Sequence, residues 1–177
     1  MSFADEVGLV RVVPGSRDDS YAELFRDHGK AVYRLAWFMT GSPHVAEELT
    51  AEVFARVLPK WRRGGIVDPV RYLRTAVVNE SRSRHRRASH EQRALSRRRI
   101  DVAGVDDVDR GSVGEPLLDA LGQLPVRQRI VVVLRFVEDL SEAEVARLIS
   151  APVGTVKALA SRGLATLRTL LEDKDEF

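Results

Sequence analysis

The chain of 177 residues is 44% apolar and 31% charged, enough to build a core for one or two small soluble domains and too apolar for wholesale disorder. Cysteine is absent, which excludes disulfides, thiolate metal sites, iron–sulfur clusters and a thiol nucleophile, and no apolar run is long enough to span a bilayer. The net charge is only +2, yet residues 1–60 carry −2, residues 61–100 carry +9, residues 101–150 carry −5 and residues 151–177 are neutral. A strongly basic block between acidic neighbours points to a polyanionic partner, because neutralised phosphates release condensed counterions.

Residues 1–18 contain Pro14-Gly15 and no long apolar stretch, so an irregular leader is expected rather than a secretory signal, and the cytoplasm is the expected location. A helical period begins at Ser20, with Leu24, Phe25, Val32, Leu35, Ala36 and Met39 recurring at spacings of three and four, and stops at Gly41. Ser42-Pro43 predicts a cap followed by proline in the first helical position. The helix it opens turns Val45, Leu49, Val53, Phe54 and Val57 inward and is expected to end near Pro59-Lys60-Trp61. Arg62-Arg63-Gly64-Gly65 reads as a loop. Asp68-Pro69 repeats the cap logic for a third helix, apolar at Val70, Leu73 and Val77 and basic beyond Asn79.

Residues 101–114 hold three glycines and four aspartates with little periodicity, the composition of an acidic linker. Periodicity resumes at Glu115-Pro116 with Leu117, Leu118, Leu121 and Leu124, and Pro125 interrupts it. The stretch Ile130–Val137 would suit a buried strand. Arg127, Arg129 and Arg135 fit one polar side, so a helix is expected instead. Ser141 and Glu144 form a capping box for a short helix. Pro152 opens a last helix with Val153, Val156, Leu159, Leu164, Leu167 and Leu170 inward. The expected fold is therefore all-α: two small helical domains, 19–92 and 115–173, joined by a flexible linker over 93–114.

Four features could carry chemistry. Residues 81–99 contain eight arginines and one glutamate, an array expected to repel itself until phosphates compensate it. The capped short helix, turn and longer helix around APVGTVKALASRG form a helix-turn-helix pattern. Its second helix offers Thr155, Lys157, Ala158, Ser161 and Arg162 to a groove or backbone. Glu47, Glu48 and Glu52 share a surface that suits a basic partner helix, or merely solvent. Trp61 and Tyr72, beside Arg62, Arg63, Arg71 and Arg74, are placed to stack on unpaired bases. No phosphate loop, zincin helix or nucleophile elbow occurs, so neither an enzyme nor a cofactor or metal site is expected.

Two blocks bring these features together. The first runs from YAELFRDHGKAVYRLAWFMTG through AEELTAEVFARVLPKW to DPVRYLRTAVVNESRSRHRR; the second runs from LLDALGQLPVRQRIVVVLRFVEDLSEAEVARLI to VGTVKALASRGLATLR. In that order they resemble regions 2 and 4 of a sigma-70 family RNA polymerase sigma factor of the extracytoplasmic-function type, in its actinobacterial form. The resemblance implies that core RNA polymerase, promoter DNA and an anti-sigma factor are partners, and that the chain directs polymerase to promoters and promotes melting. It implies that Glu48, Leu49, Glu52 and Phe54 meet the β′ clamp helices. A base flipped from the −10 element would sit in the loop from Trp61 to Asp68, with Arg62, Tyr72 and Arg74 nearby. Asn79, Arg82, Arg84, Arg86 and Arg87 would touch DNA. Thr155, Lys157, Ala158, Ser161 and Arg162 would read the −35 element, while Arg127 and Arg129 would touch phosphates or the β flap. Ser150 stands where the family often has glycine, so the turn must either strain Ser150 or avoid the left-handed region. Free in solution, the two modules are expected to pack together or be held by an inhibitor. The rival reading is a helix-turn-helix regulator that binds duplex DNA without polymerase.

Overall fold

The computed structural model describes residues 17–96 and 115–175; the leader up to residue 16 and the linker over 97–114 lie outside the described residues. Among the described residues there are seven α-helices, one π-helical segment and no strand. Helices α1 (Arg17–Thr40), α2 (Pro43–Arg62) and α3 (Pro69–Ser96) pack on one another. Helices α4 (Glu115–Gln123), α5 (Val126–Val132), α6 (Glu142–Ile149) and α7 (Val153–Asp175) form a second group, with α7 lying against the other three. The all-α expectation therefore holds.

The turns follow from local chemistry. Gly41 adopts φ +73°, a left-handed conformation that costs glycine little, and donates to the Trp37 carbonyl at 2.7 Å. Ser42 then caps α2 by accepting from the Val45 amide at 3.4 Å. Asp68 caps α3 through its side chain, which accepts from the Arg71 amide at 3.0 Å. Two local details go beyond the expectation: helix α2 runs through Pro59 and ends at Arg62, one residue past Trp61, and the expected Ile130–Val137 helix changes from α to π geometry at Val133. There the Glu138 amide donates back to the Val133 carbonyl, five residues away, at 3.1 Å.

Leu35, Leu49, Val53, Val57, Leu73 and Val77 build the first core, and Leu121, Val131, Val133, Leu134, Val145 and Val156 the second, all essentially without exposure. Tyr21 ties α1 to α2 by donating its hydroxyl to the Phe54 carbonyl at 2.5 Å. Burial pushes this phenol from 10.0 up to about 12. A raised folded-state pKa means that the stabilisation is complete below pH 10 and is lost as pH climbs towards 12. Ultraviolet titration should therefore find a tyrosine ionising near pH 12 that Tyr21→Phe removes; titration of every tyrosine near pH 10 would contradict this burial.

Candidate nucleic-acid interface

The turn between α6 and α7 decides what α7 presents. Ser141 Oγ accepts from the Glu144 amide at 3.2 Å while Glu144 Oε2 accepts from the Ser141 amide at 2.7 Å, completing the capping box. The Ser141 hydroxyl, which donates to Glu144 Oε2 at 2.6 Å, and after it the Ser141 amide hold the Glu144 carboxyl below its ordinary range. Ser150 takes the left-handed conformation, φ 54° and ψ 53°, so the strained alternative is the one adopted. Pro152 offers no side-chain cap; its carbonyl instead accepts from the Thr155 and Val156 amides at 3.0 and 3.2 Å.

Helix α7 buries Val156, Ala160, Gly163 and Leu167, which turns Thr155, Lys157, Ala158, Ser161 and Arg162 to solvent. All five residues expected on the reading face are therefore exposed together. Arg162 lies along its own helix, with Nε donating to the Ala158 carbonyl at 3.1 Å. Lys157 Nζ stands 3.6 Å from Glu142, an exposed pair that contributes little and can exchange for a phosphate. The face offers cations and hydroxyls with no carboxylate of its own between Val153 and Leu171.

Helix α3 is less uniform than its sequence suggests. Asn79 and Arg86 are exposed and Arg82 is half-buried. Arg84 instead bridges Glu48 at 3.0 Å and Glu52 at 2.7 Å. Burial works to lower its pKa, but the bonds to the two glutamates outweigh that and raise it. Arg87 pairs at 2.8 Å with Glu80, a carboxylate only 2% exposed that also receives Arg56. The array expected to lack local compensation is thus partly neutralised by carboxylates from α2 and from its own buried side. Glu80 and Arg56 went unnoticed in the sequence. The available signal was a lone glutamate among arginines, in register with Leu73 and Val77.

The aromatic and acidic candidates divide. Trp61 is half-buried and its Nε1 donates to Ser20 Oγ at 3.0 Å. Tyr72 lies beneath Lys60, with Nζ 5.0 Å from its ring centre, and Arg62 is exposed at the end of α2. Asp68 serves as the cap of α3. Glu48 and Glu52 keep part of their surface, but Leu49 is 0% and Phe54 3% exposed. Phe54 packs its ring at 4.7 Å from that of Phe25. Leu49 and Phe54 therefore hold α2 in the core and cannot themselves touch a partner, a correction to the expected docking set.

Two more candidates serve the junction between the helical groups. Glu138, 5% exposed, follows the π-helical segment and accepts from Arg34 at 3.3 Å and from Arg74 at 2.8 Å. Arg129 Nη1 donates to the Met39 carbonyl at 3.0 Å, and Nη2 reaches the Gly122 and Leu124 carbonyls. Burial lowers the Arg129 pKa. Arg74 and Arg129 thus tie the two helical groups together, through Glu138 and the Met39 carbonyl, while Arg129 Nε keeps no hydrogen-bond partner among the described residues. Asn79 and Arg82 of the first group face Arg127 and Thr155 of the second across one cleft. Both expected DNA faces thus border this cleft, with Asn79, Arg127 and Thr155 still exposed within it.

Comparison with known proteins adds a second line. Residues 24–91 match the family model for sigma-70 region 2, and residues 114–167 match that for sigma-70 region 4. The RNA polymerase sigma-E factor of Streptomyces antibioticus is 31% identical over 158 residues, covering 88% of this chain and 86% of that protein. The ECF RNA polymerase sigma factor BldN of Streptomyces coelicolor is 30% identical over 177 residues, covering 93% of this chain. The chain spans 65% of the length of BldN. Among solved structures, the sigma factor RpoE, in complex with the anti-sigma factor NepR from Bartonella quintana, superposes with a TM-score of 0.70 at 20% identity. That match covers 87% of this chain and 98% of the other. CnrH, in complex with the cytosolic domain of CnrY, superposes at 0.59 with 22% identity, over 88% of this chain and 90% of the other. These two likenesses concern the fold. Both sequence relatives are named as polymerase sigma factors, which disfavours the regulator that acts without polymerase.

Proposed function

Because this chain belongs to the sigma-70 family of RNA polymerase sigma factors, in its extracytoplasmic-function group, we propose that it binds core RNA polymerase, brings it to particular promoters and promotes their melting. The observation that carries this reading is the exposed, carboxylate-free face of α7 in the same chain as the arginine-bearing α3. One unit, 19–92, engages polymerase and the −10 element; the other, 115–173, engages the −35 element; residues 93–114 tether them. Glu48 and Glu52 remain the acidic residues for the clamp helices, and core binding competes for them with Arg84. Asn79, Arg82 and Arg86 approach the opened strand, and Trp61, Arg62 and Tyr72 border it.

Melting follows from differential binding. Unpaired bases are held more tightly than stacked ones, so the duplex equilibrium shifts once stacking and charge contacts offset the unpairing cost. No covalent step by this chain is involved, and the cytoplasm is where polymerase is met. Tethering raises the effective concentration of the second contact after the first. An anti-sigma factor is a fitting antagonist, since a protein that holds the two units together keeps Asn79 and Thr155 on one shared cleft.

Transcription in vitro with purified core polymerase tests the reading. Promoter-specific transcripts are expected only when chain and core are combined; specific, tight binding by the chain alone would replace it with the autonomous regulator. Lys157→Ala with Arg162→Ala should cut initiation at −35-dependent promoters about tenfold or more, as two charged contacts are lost, with core binding unchanged. Loss of core binding in a pull-down would move that face from DNA to polymerase.

A further inference from the structure

The cleft between the two helical groups has a chemistry of its own. It measures about 420 Å³. Arg71 and Arg82 of α3 line one side, and Arg127 of α5 and Arg147 of α6 line the other. Among the described residues no acidic side chain lines it. Glu144 lies in the adjoining depression with Asp68, and the charges of Arg147 and Arg74 act on it there. Closing the molecule therefore gathers four guanidinium groups around one space; Arg71 and Arg147 also border the depression that holds Asp68 and Glu144, and a multivalent anion would relieve the repulsion that remains.

The space also has an apolar wall. Ile130, Leu148 and Leu159 line it, and the exposed Asn79 amide and Thr155 hydroxyl stand at its polar side near the start of α7. A bare phosphate would fill a small part of such a volume and leave the apolar wall against water. A planar ring on that wall, with a chain of phosphates among the arginines, uses both surfaces, since guanidinium binds phosphate bidentately and stacks on flat rings.

We propose that this cleft is a binding site for a nucleoside polyphosphate, which bridges the two units and holds the molecule closed. Binding rests on the cleft alone; its consequence rests on the functional reading above. A ligand that needs both walls binds only the closed form. At ten times its Kd it lowers the open population about elevenfold, and with it the fraction able to engage polymerase and promoter.

The test is calorimetric titration of the whole chain with ATP, GTP, inorganic triphosphate and adenosine. The nucleoside triphosphates should bind at least tenfold more tightly than either adenosine or inorganic triphosphate. Arg71→Ala with Arg82→Ala, and separately Arg127→Ala with Arg147→Ala, should each raise Kd at least tenfold. Arg26→Ala with Arg168→Ala, two exposed arginines outside the cleft, should leave it within twofold; circular dichroism checks that all variants are folded. Absence of binding at millimolar nucleotide, an effect confined to one wall, or equal weakening by the outside pair would overturn the proposal. A single-stranded pentanucleotide without a terminal triphosphate separates free nucleotide from nucleic acid. Its displacement of ATP at equal or lower concentration would assign the cleft to DNA and overturn the site. Nucleotide binding by a chain that never supports promoter-specific transcription would sink the functional reading and leave the site intact; transcription without nucleotide binding would sink the site alone.

Discussion

Glu138→Lys will separate the two halves of the molecule. The carboxylate is 5% exposed and accepts from Arg34 and Arg74, both on the first helical group. Removing one partner from a buried ion pair costs about 3–5 kcal/mol when the other partner stays buried. Arg34 is 56% exposed and regains water on opening, so the effect on closure is smaller, about 2 kcal/mol or roughly a 30-fold loss of the closed form. The introduced ammonium adds repulsion from two guanidinium groups. Because the chain lacks cysteine, a pair of thiols placed at Lys30 and Glu172 can carry spin labels without background. The distance distribution should broaden and lengthen in the variant, while circular dichroism stays unchanged and Glu138→Gln shows a weaker effect. An unaltered distribution would mean that the units are held by something other than this clasp.

Gly163→Val will strike at the second core. Gly163 is buried on α7, and a Cβ at this position would lie 2.6 Å from Val132 Cγ2 and 3.4 Å from Gln128 Cβ. Val132 is itself 4% exposed and β-branched, so it cannot swing aside cheaply. Overpacking of this kind costs about 1–3 kcal/mol. A unit of roughly 60 residues has only about 3–9 kcal/mol to lose. The thermal unfolding midpoint of the chain should fall clearly. Gly163→Ala should be milder, since alanine gains about 1 kcal/mol of helix propensity against the same contact. Adding Val132→Ala to Gly163→Ala should recover part of the loss; strict additivity of the two changes would argue against the contact.

The features legible in the sequence are those fixed within a few residues. Ser42, Asp68 and Ser141 could be read as caps because a cap needs only a side-chain oxygen beside the first amides of a helix. At Ser150 the sequence left two alternatives open, and the turn adopts the left-handed one. What escaped depends on neighbours distant in sequence. Arg129 read as a phosphate or flap contact, and Arg74 as a neighbour of the flipped base, until Met39 and Glu138, distant along the chain, are brought to them. Arg84 looked unopposed because its two carboxylates lie on another helix. Leu49 and Phe54 belong to a motif that also contains exposed glutamates, and only packing separates the two kinds. The π-helical segment has no marker in a run of valines, since the extra residue per turn is set by how Glu138 and Leu140 must land.

Helix α3 gives the molecule a mechanical axis. Arg74, near its base, grips Glu138, while Arg86 stands twelve positions further on and about 18 Å along the same rod. A continuous helix is stiff over that length, so a tilt imposed where the distal arginine is seized displaces the base as a lever does. Under the proposed function, the DNA contact at one end and the clasp at the other therefore lie on one stiff element.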